Sequence, residues 1–287
     1  MRNFPSTLAE LVFPLPEEGF LQLLRERKLT PLRRGNTDCY ADVLGWNAIK
    51  RMIERGQYPR GLDHLRVAKE SISAPPALWT SDGNADAAKL DACLAEGYSV
   101  IFTHIEPFIA PLAALCGDVK SRLREDVYAG LIVTSGRDGA IKTHYDFEDL
   151  IIVQAEGTKR WQIYGPAVCN PVRGLPRPPT PDTPPIFDEV LQTGDILFVP
   201  AGHWHHCEAG PGRSVHFSVL MLPPAGWHGV KNIIAPLIAE EMFRRPLTRL
   251  GGPSELAALE AGIKKRVIEK INQLSLDDVI AQWGPKD

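Results

Sequence analysis

Short apolar runs dominate the middle of the chain. Leu150 to Gly157 and Lys159 to Tyr164 are two such runs, separated by a single residue. Their length and composition predict two strands joined by a tight turn, as in a β-hairpin. Ser99 to Ile105 predicts a further strand, whereas a helix is predicted from about Pro107 to Leu123. The central part of the chain is therefore expected to be mainly β.

The two ends of the chain have helical patterns instead. Glu17 to Leu24 and Trp46 to Arg55 predict helices near the start. Near the end, six apolar residues share one face of a predicted helix: Leu256, Leu259, Ile263, Val267, Ile271 and Leu274. We therefore expect an N-terminal helical region, residues 1–75, that packs on a central β domain, residues 76–223, followed by a C-terminal helical region, residues 224–287.

Composition and charge limit the class of protein. The chain has 287 residues, of which 44% are hydrophobic, and this is enough for one large core. A formal net charge of −3 gives no strong footprint for nucleic acid. The five cysteines form no CxxC pair, which favours reduced thiols over a disulfide framework. The most apolar stretch, Val100 to Cys116, contains His104, Glu106 and two prolines, so we expect no membrane span. Prolines and acidic residues interrupt residues 5–18, so we expect no signal peptide and, with reduced thiols, a cytoplasmic protein.

A histidine and an aspartate two residues apart suggest a metal site. His144 and Asp146 would project from the same face of a strand, because side chains alternate along a strand. A histidine from a later strand would complete a set of two histidines and one carboxylate, which suits Fe(II) and leaves coordination positions open. His203, His205 and His206 all lie in the segment GDILFVPAGHWHHCEA, so spacing alone leaves the third ligand undecided.

Lys159 begins the strand that follows this motif. A lysine that faces a core is costly unless it pairs with an anion, so a cosubstrate with a carboxylate is one natural partner. The alternative is an exposed lysine whose aliphatic stem lies along the surface. The residues alone do not choose between these two roles.

Three segments resemble a known family. They are Phe20 to Gly35, Thr143 to Pro166, and GDILFVPAGHWHHCEA together with Arg213 to Val219. They are similar to the JmjC-type Fe(II)/2-oxoglutarate oxygenases of the cupin superfamily, particularly the ribosomal-oxygenase-like branch that acts on proteins. The resemblance implies a double-stranded β-helix, or jelly roll, flanked by N- and C-terminal helices.

The resemblance also implies roles for individual residues. VPAGHWHH matches the IPxGxxH pattern of the family, which selects His205 as the third metal ligand beside His144 and Asp146. The family has a basic residue fifteen positions after the first ligand, and that position is Lys159 here, so Lys159 is expected to bind the distal carboxylate of 2-oxoglutarate.

One departure from the family affects the cosubstrate pocket. Relatives commonly have an asparagine fourteen positions before the first ligand, where this chain has Gly130. Tyr128, Thr134 and Ser214 carry hydroxyls that could replace the missing hydrogen bonds, although each could equally bond to backbone. His216 is expected in the cavity without a role as a ligand.

The function implied by the resemblance uses Fe(II), 2-oxoglutarate and molecular oxygen to hydroxylate a C–H bond of a protein or peptide side chain. Hydroxylation of a free amino acid or small metabolite, N-demethylation, and a binding module without turnover remain alternatives, because the fold does not separate them. The apolar face of the C-terminal helices must be covered, either by packing within the chain or in a homodimer, and the resemblance favours the homodimer. The proline-rich segment Pro171 to Pro185 predicts extended coil, either as a surface loop or as a lid.

Overall fold

A computed structural model describes residues 3–32, 39–58, 64–136 and 141–282. The chain divides into two compact units, one of residues 1–123 and 127–222, the other of residues 124–126 and 223–287. The last three residues of the Phe20 to Gly35 motif lie outside the described residues. The division into three regions stays a prediction.

Thirteen strands occur in the described part of the chain. They are β1 Thr30–Leu32, β2 Leu65–Lys69, β3 Ile72–Ser73, β4 Thr80–Ser81, β5 Asn84–Ala85, β6 Ser99–Thr103, β7 Asp126–Ser135, β8 Asp149–Glu156, β9 Lys159–Pro166, β10 Phe187–Leu191, β11 Ile196–Val199, β12 His203–Ala209 and β13 Arg213–Leu222. Eight of them form one sheet in the order β1-β11-β8-β13-β7-β6-β2-β3, three form a second sheet in the order β10-β9-β12, and β4 pairs with β5. Strand pairs β1–β11, β11–β8, β8–β13, β7–β6, β6–β2, β2–β3, β10–β9, β9–β12 and β4–β5 are antiparallel.

Six α-helices occur among the described residues of the first unit. They are α1 Leu8–Val12, α2 Glu17–Glu26, α3 Cys39–Leu44, α4 Trp46–Glu54, α5 Ala87–Ala95 and α6 Ala110–Leu123, with short 3₁₀ turns at Pro76–Leu78 and Glu106–Phe108. The helices predicted near Glu17 and Trp46 are therefore confirmed. Their buried side chains pack on the large sheet, where the ring of Phe20 lies 5.2 Å from that of Phe198.

Strand β8 shows how the core is built, because its two faces pack against different layers. Ile151 and Val153 belong to the core that includes the helices of the first unit. Leu150 and Ile152 belong to a second core, shared with residues of the small sheet. Since side chains alternate along a strand, a continuous apolar run is what a strand buried on both faces requires. The large sheet thus has helices on one face and the small sheet on the other, which confirms the predicted jelly roll.

The predicted hairpin of β8 and β9 is wrong, although both strands exist. Strand β8 pairs with β11 and β13, whereas β9 pairs with β10 and β12. The chain crosses from one sheet to the other at Gly157, which has φ of +70°. This position leaves no room for a side chain, since a Cβ atom would lie 2.1 Å from the carbonyl oxygen of Arg213. Two apolar strands with an intervening glycine look the same in sequence whether they pair or face each other.

The second unit contains the remaining helices. They are α7 Gly226–Ile234, α8 Pro253–Ile271 and α9 Leu276–Ala281, with 3₁₀ turns at Ala235–Ala239, Glu241–Phe243 and Leu247–Arg249. Gly229 of α7 lies so close to α9 that a Cβ atom there would be 2.6 Å from Val279 Cγ2. The predicted apolar face of α8 is only partly covered within the chain, because Leu259 is buried while Leu256 and Ile271 are exposed. No helix in the described ranges combines the length and the apolar character that a bilayer span needs.

Candidate active site

His144 and Asp146 do not lie in a strand as predicted. They belong to an extended segment that precedes β8, and its one ladder contact is a bridge between His144 and His205. The His144 amide donates to the His205 carbonyl at 3.1 Å, and the His205 amide donates to the His144 carbonyl at 2.7 Å. The pairing of β12 with β9 is itself irregular at this point, because its register shifts between His203 and His205. The bridge nevertheless joins the two histidines that the sequence analysis named as ligands.

The three predicted metal ligands meet at one point. Candidate ligand atoms of His144, Asp146 and His205 all lie within 4.8 Å of one another. His144 Nε2 is 3.9 Å from Asp146 Oδ1, and His205 Nε2 is 3.6 Å from Asp146 Oδ2. Two imidazole nitrogens and one carboxylate oxygen on the same side of a site suit Fe(II) and leave the other positions open.

Backbone carbonyls fix the orientation of both imidazole rings. His144 Nδ1 lies 2.9 Å from the carbonyl oxygen of Lys142, and His205 Nδ1 lies 3.1 Å from that of His203. A carbonyl oxygen only accepts, so Nδ1 carries the proton and donates in each case. The lone pair of each ring is then on Nε2, which faces Asp146, and this is the tautomer that binds a metal.

The state of Asp146 agrees with a cation at this point. Its carboxylate opens onto a cavity, so 32% of the side chain is exposed, yet protein atoms surround it. This burial raises the pKa of Asp146 above its ordinary value. A divalent cation bound by the three ligands would stabilise the charged carboxylate.

A cavity of about 340 Å³ adjoins the three ligands. Side chains of both sheets and of the loops beside them line it: Ile101, Phe102, Thr103, Tyr128, Gly130, Ile132, Thr134, Ile141, His144, Tyr145, Asp146, Phe147, Glu148, Leu150, Lys159, Trp161, Arg173, Arg177, His205, Cys207, His216, Ser218 and Leu220. The cavity is large enough for a small dicarboxylate beside a metal ion.

Lys159 is a buried cation at the inner end of this cavity, with 2% of its surface exposed. Its ammonium group donates to His216 Nδ1 at 3.2 Å and lies 3.5 Å from Thr134 Oγ1. Burial lowers the pKa of Lys159, and the neighbour that favours its charged form is the Cys207 thiol rather than a carboxylate. Burial and the charge of Lys159 also lower the pKa of His216 well below its ordinary value, so His216 is neutral and accepts from Lys159. Among the described residues this buried ammonium has no carboxylate partner, which fits an anionic ligand.

The three predicted hydroxyls have different surroundings. Thr134 lines the cavity and shares a hydrogen bond of 2.9 Å with Ser99. Tyr128 also lines the cavity, but its hydroxyl donates to Glu148 Oε1 at 2.9 Å. Ser214 is buried and accepts from Gln154 Nε2 at 2.9 Å, and it is not among the described residues that line the cavity. The structure thus brings Thr134 to Lys159 and does not bring Ser214 there, because β13 has a register shift directly after Val215.

The two other histidines of β12, His203 and His206, do not join the candidate metal ligands. His203 is buried and its Nδ1 donates to the carbonyl oxygen of Pro200 at 2.9 Å. His206 lines a different depression together with Lys142 and Tyr164. Neither belongs to the cluster of candidate metal ligands among the described residues.

Two arginines of the proline-rich segment were missed by the sequence analysis. Arg173 lies 3.3 Å from Glu148 Oε1, and its guanidinium stands 5.5 Å from the centre of the Phe147 ring. Arg177 stands 5.5 Å from the centre of the Tyr145 ring. Both arginines are exposed and line the cavity. Two features of the sequence could have indicated these arginines. They lie in a stretch whose prolines limit backbone freedom, and the metal motif is followed by a further acidic residue, Glu148, with which an arginine could pair.

Comparison with known proteins agrees with this class of fold and site. Residues 108–227 match the family model described as the JmjC domain. The chain is 23% identical over 257 residues to the bifunctional lysine-specific demethylase and histidyl-hydroxylase NO66 of Drosophila mojavensis, with 83% of this chain and 27% of the relative covered. It is 24% identical over 255 residues to human ribosomal oxygenase 1, with 83% of this chain and 39% of the relative covered.

Solved structures show the same fold. YcfD of Escherichia coli aligns with a TM-score of 0.58 and 17% identity, over 92% of this chain and 70% of that chain. A structure of YcfD, a ribosomal oxygenase, in complex with cobalt and 2-oxoglutarate aligns with a TM-score of 0.57 and 16% identity, over 92% of this chain and 69% of that chain. The chain spans between about a quarter and two fifths of the length of the two curated relatives named above. The part matched by the family model is a JmjC domain, and the chain resembles the ribosomal-oxygenase-like branch, as its motifs predicted.

Proposed function

We propose that this chain is an Fe(II)- and 2-oxoglutarate-dependent oxygenase that hydroxylates a C–H bond of a protein or peptide side chain. One observation carries the proposal: His144, Asp146 and His205 converge on one point of a cavity that also contains the buried ammonium of Lys159. A metal site with open positions and a cation without a carboxylate partner together fit a dicarboxylate that also binds the metal.

The protein residues position the reactants. Bound Fe(II) and 2-oxoglutarate would supply the oxidative chemistry, in which the cosubstrate loses carbon dioxide and takes up one oxygen atom of O₂ to become succinate, while the other oxygen atom enters a C–H bond. His144, Asp146 and His205 hold the metal, and the carbonyls of Lys142 and His203 keep the two imidazoles in the tautomer that binds it. These residues need not exchange protons with the substrate.

Lys159 anchors the distal carboxylate of the cosubstrate in this proposal. Its ammonium would donate a charge-assisted hydrogen bond, while neutral His216 and Thr134 orient it from behind. The YcfD complex with cobalt and 2-oxoglutarate supports this choice of cosubstrate, because it has the same fold. Thr134 is the hydroxyl nearest to the ammonium of Lys159, so we assign it to the same pocket.

A protein substrate is favoured by the names of the relatives. One is a histidyl-hydroxylase and another a ribosomal oxygenase. At the exposed end of the cavity, Arg173 and Arg177 lie on a proline-rich segment that can contact a polypeptide whose side chain enters the cavity. We therefore assign substrate contact to this segment.

The cellular setting and the assembly are further parts of the proposal. We place the protein in the cytoplasm, since all five cysteines are free. We infer a homodimer through the C-terminal helices, since Leu256, Ile268 and Ile271 of α8 are exposed. Light scattering after size exclusion should give twice the monomer mass, and Ile268→Glu should give the monomer mass. Lys265→Glu is the control, because Lys265 is on the same helix and polar; a monomeric wild-type protein would refute the dimer.

The activity can be tested before the substrate is known. Anaerobic addition of 2-oxoglutarate to the Fe(II)-loaded protein should produce a weak visible absorption band that saturates, because a 2-oxo acid chelates iron at open positions. His144→Ala should lose the band. Iron bound at one equivalent without any band would refute the proposed cosubstrate, and an unchanged band in His144→Ala would refute the ligand assignment.

A further inference from the structure

We propose that the Nε2–H group of His216 donates a hydrogen bond to the distal carboxylate of the cosubstrate, beside the ammonium of Lys159. His216 would then bind the cosubstrate itself as well as support Lys159. The inference rests on the proposed function, because it names a second group that holds the same dicarboxylate.

Strand β13 turns His216 towards the cavity. Phe217 and Val219 of this strand belong to the core that includes the helices of the first unit. Because side chains alternate along a strand, His216 lies on the other face, where it lines the cavity together with Ser218. His216 is only 2% exposed, and a buried imidazole is costly unless both of its nitrogens have a partner.

The hydrogen bond at Nδ1 fixes the tautomer of His216. Nδ1 lies 3.2 Å from the ammonium nitrogen of Lys159, which can only donate, so Nδ1 accepts. Burial and the charge of Lys159 lower the pKa of His216 well below its ordinary value, so the ring is neutral and its one N–H is at Nε2. His144 and His205 have the opposite arrangement, because their Nδ1 atoms donate to backbone carbonyls. Nε2 of His216 is therefore a hydrogen-bond donor and not a further metal ligand.

This donor is free and can be reached from the cavity. The part of the chain that the structure describes provides no acceptor for Nε2–H of His216. The side-chain atoms there that are both closed off from the surface and without a partner include Nδ1 of His206, but they do not include Nε2 of His216. Nε2 of His216 therefore keeps accessible surface, and this surface faces the cavity that the residue lines.

Lys159 and His216 together suit the two oxygens of one carboxylate. The two side chains are in contact through Nδ1, and the imidazole ring is rigid, so Nε2 lies one ring width further along the cavity wall. One carboxylate oxygen can accept from the ammonium while the other accepts from Nε2–H. The pair would thus recognise the distal carboxylate both by its charge and by a directed hydrogen bond.

The test removes the Nε2–H group and keeps the ring and the acceptor at Nδ1. The variant carries 4-thiazolylalanine at position 216, in which a nitrogen remains at the place of Nδ1 and sulfur replaces Nε2–H. The protein is loaded with Mn(II), which binds the same ligands without oxidation chemistry, and 2-oxoglutarate is titrated by calorimetry. The variant should bind 2-oxoglutarate about tenfold more weakly or worse, because a hydrogen bond to a charged acceptor is lost. The same analogue at position 206 is the control, since His206 lines a different depression, and this variant should bind as the wild type does.

A measurement on the wild-type protein covers the case in which the variant at position 216 does not fold. The protein is labelled with ¹⁵N-histidine and loaded with diamagnetic Zn(II), and the ring nitrogens of His216 are observed through the carbon-bound ring protons. Saturation with 2-oxoglutarate should move the Nε2 resonance downfield, because its N–H gains a charged acceptor. The Nδ1 resonance should stay that of an unprotonated nitrogen.

The outcomes separate this inference from the proposed function. If the wild type binds 2-oxoglutarate and the analogue at position 216 binds it equally well, the N–H plays no part and the inference is wrong. An equal loss of affinity with the analogue at position 206, or an Nε2 resonance that does not move on saturation, would also overturn it. If the Mn(II)-loaded wild type does not bind 2-oxoglutarate at all, the proposed function fails and this inference fails with it. A loss of 2-oxoglutarate affinity at unchanged Mn(II) affinity, found only for the analogue at position 216, supports the inference.

Discussion

Replacement of Lys159 by methionine tests the proposed cosubstrate pocket most directly. Methionine is also unbranched and fills a similar volume, so Lys159→Met removes the charge with little change of shape. The ammonium would form a buried, charge-assisted pair with the distal carboxylate of 2-oxoglutarate. Loss of one partner of such a pair costs about 2–5 kcal/mol. We therefore expect the Kd for 2-oxoglutarate to rise by roughly thirtyfold or more.

The same substitution should leave the stability of the free protein nearly unchanged. His216 Nδ1 would lose the donor that now lies at 3.2 Å, which costs on the order of 1 kcal/mol. Removal of a desolvated cation, whose pKa burial already lowers, acts in the opposite direction. The two effects are of similar size, so the thermal midpoint should move by no more than a few degrees.

Calorimetric titration of the Mn(II)-loaded variant with 2-oxoglutarate measures the loss of affinity. Lys264→Met is the control, since Lys264 lies on the surface of α8 in an ion pair with Glu260. A Lys159→Met protein that folds, binds Mn(II) and retains wild-type affinity for 2-oxoglutarate would refute the role of Lys159. A collapse in stability would instead show that the buried ammonium is mainly a structural group.

Two further predictions concern pH and the crossing between the sheets. Because burial lowers the pKa of Lys159 and the carboxylate needs the protonated amine, affinity for 2-oxoglutarate should be present below that pKa and fall as pH rises through it. This fall, measured by titration at several pH values, should be absent in Lys159→Met; an identical slope there would contradict the assignment. Gly157→Ala should destabilise the fold by about 2 kcal/mol or more in urea unfolding, because φ is +70° and Cβ would lie 2.1 Å from the Arg213 carbonyl oxygen. Gly212→Ala has a similar φ of +84° and open space, so its cost should be only about 1 kcal/mol; equal costs would refute the steric argument.

The sequence predicted the members of the site better than their local structure. His144, Asp146, His205 and Lys159 could be named because metal ligands and a buried lysine follow from residue types and from a family motif. The segment that holds His144 is not a strand, since a single bridge to His205 is its ladder contact among the described residues. Local hydrophobic patterns indicate which faces of a segment are apolar, but they do not indicate which strand the segment pairs with.

Contacts between distant segments account for the other differences. The predicted hairpin failed because the pairing of β8 with β11 and β13 depends on the whole sheet. Ser214 could not be placed from sequence, because its bond to Gln154 joins residues sixty positions apart. Arg173 and Arg177 reach the cavity only because the proline-rich segment returns to it. None of these relations leaves a periodic signal in the chain.

The cavity has one buried end and one exposed end, and this has a consequence for the order of events. Lys159 is buried at the inner end, whereas Arg173 and Arg177 are exposed at the other. A dicarboxylate that is to reach Lys159 must pass the place where a polypeptide side chain would sit. Under the proposed function, the cosubstrate would therefore enter before the polypeptide, and succinate would leave after it. The hydroxylated polypeptide should then inhibit the release of succinate for as long as it stays bound. Dissociation of the hydroxylated polypeptide would therefore set an upper limit on the turnover rate.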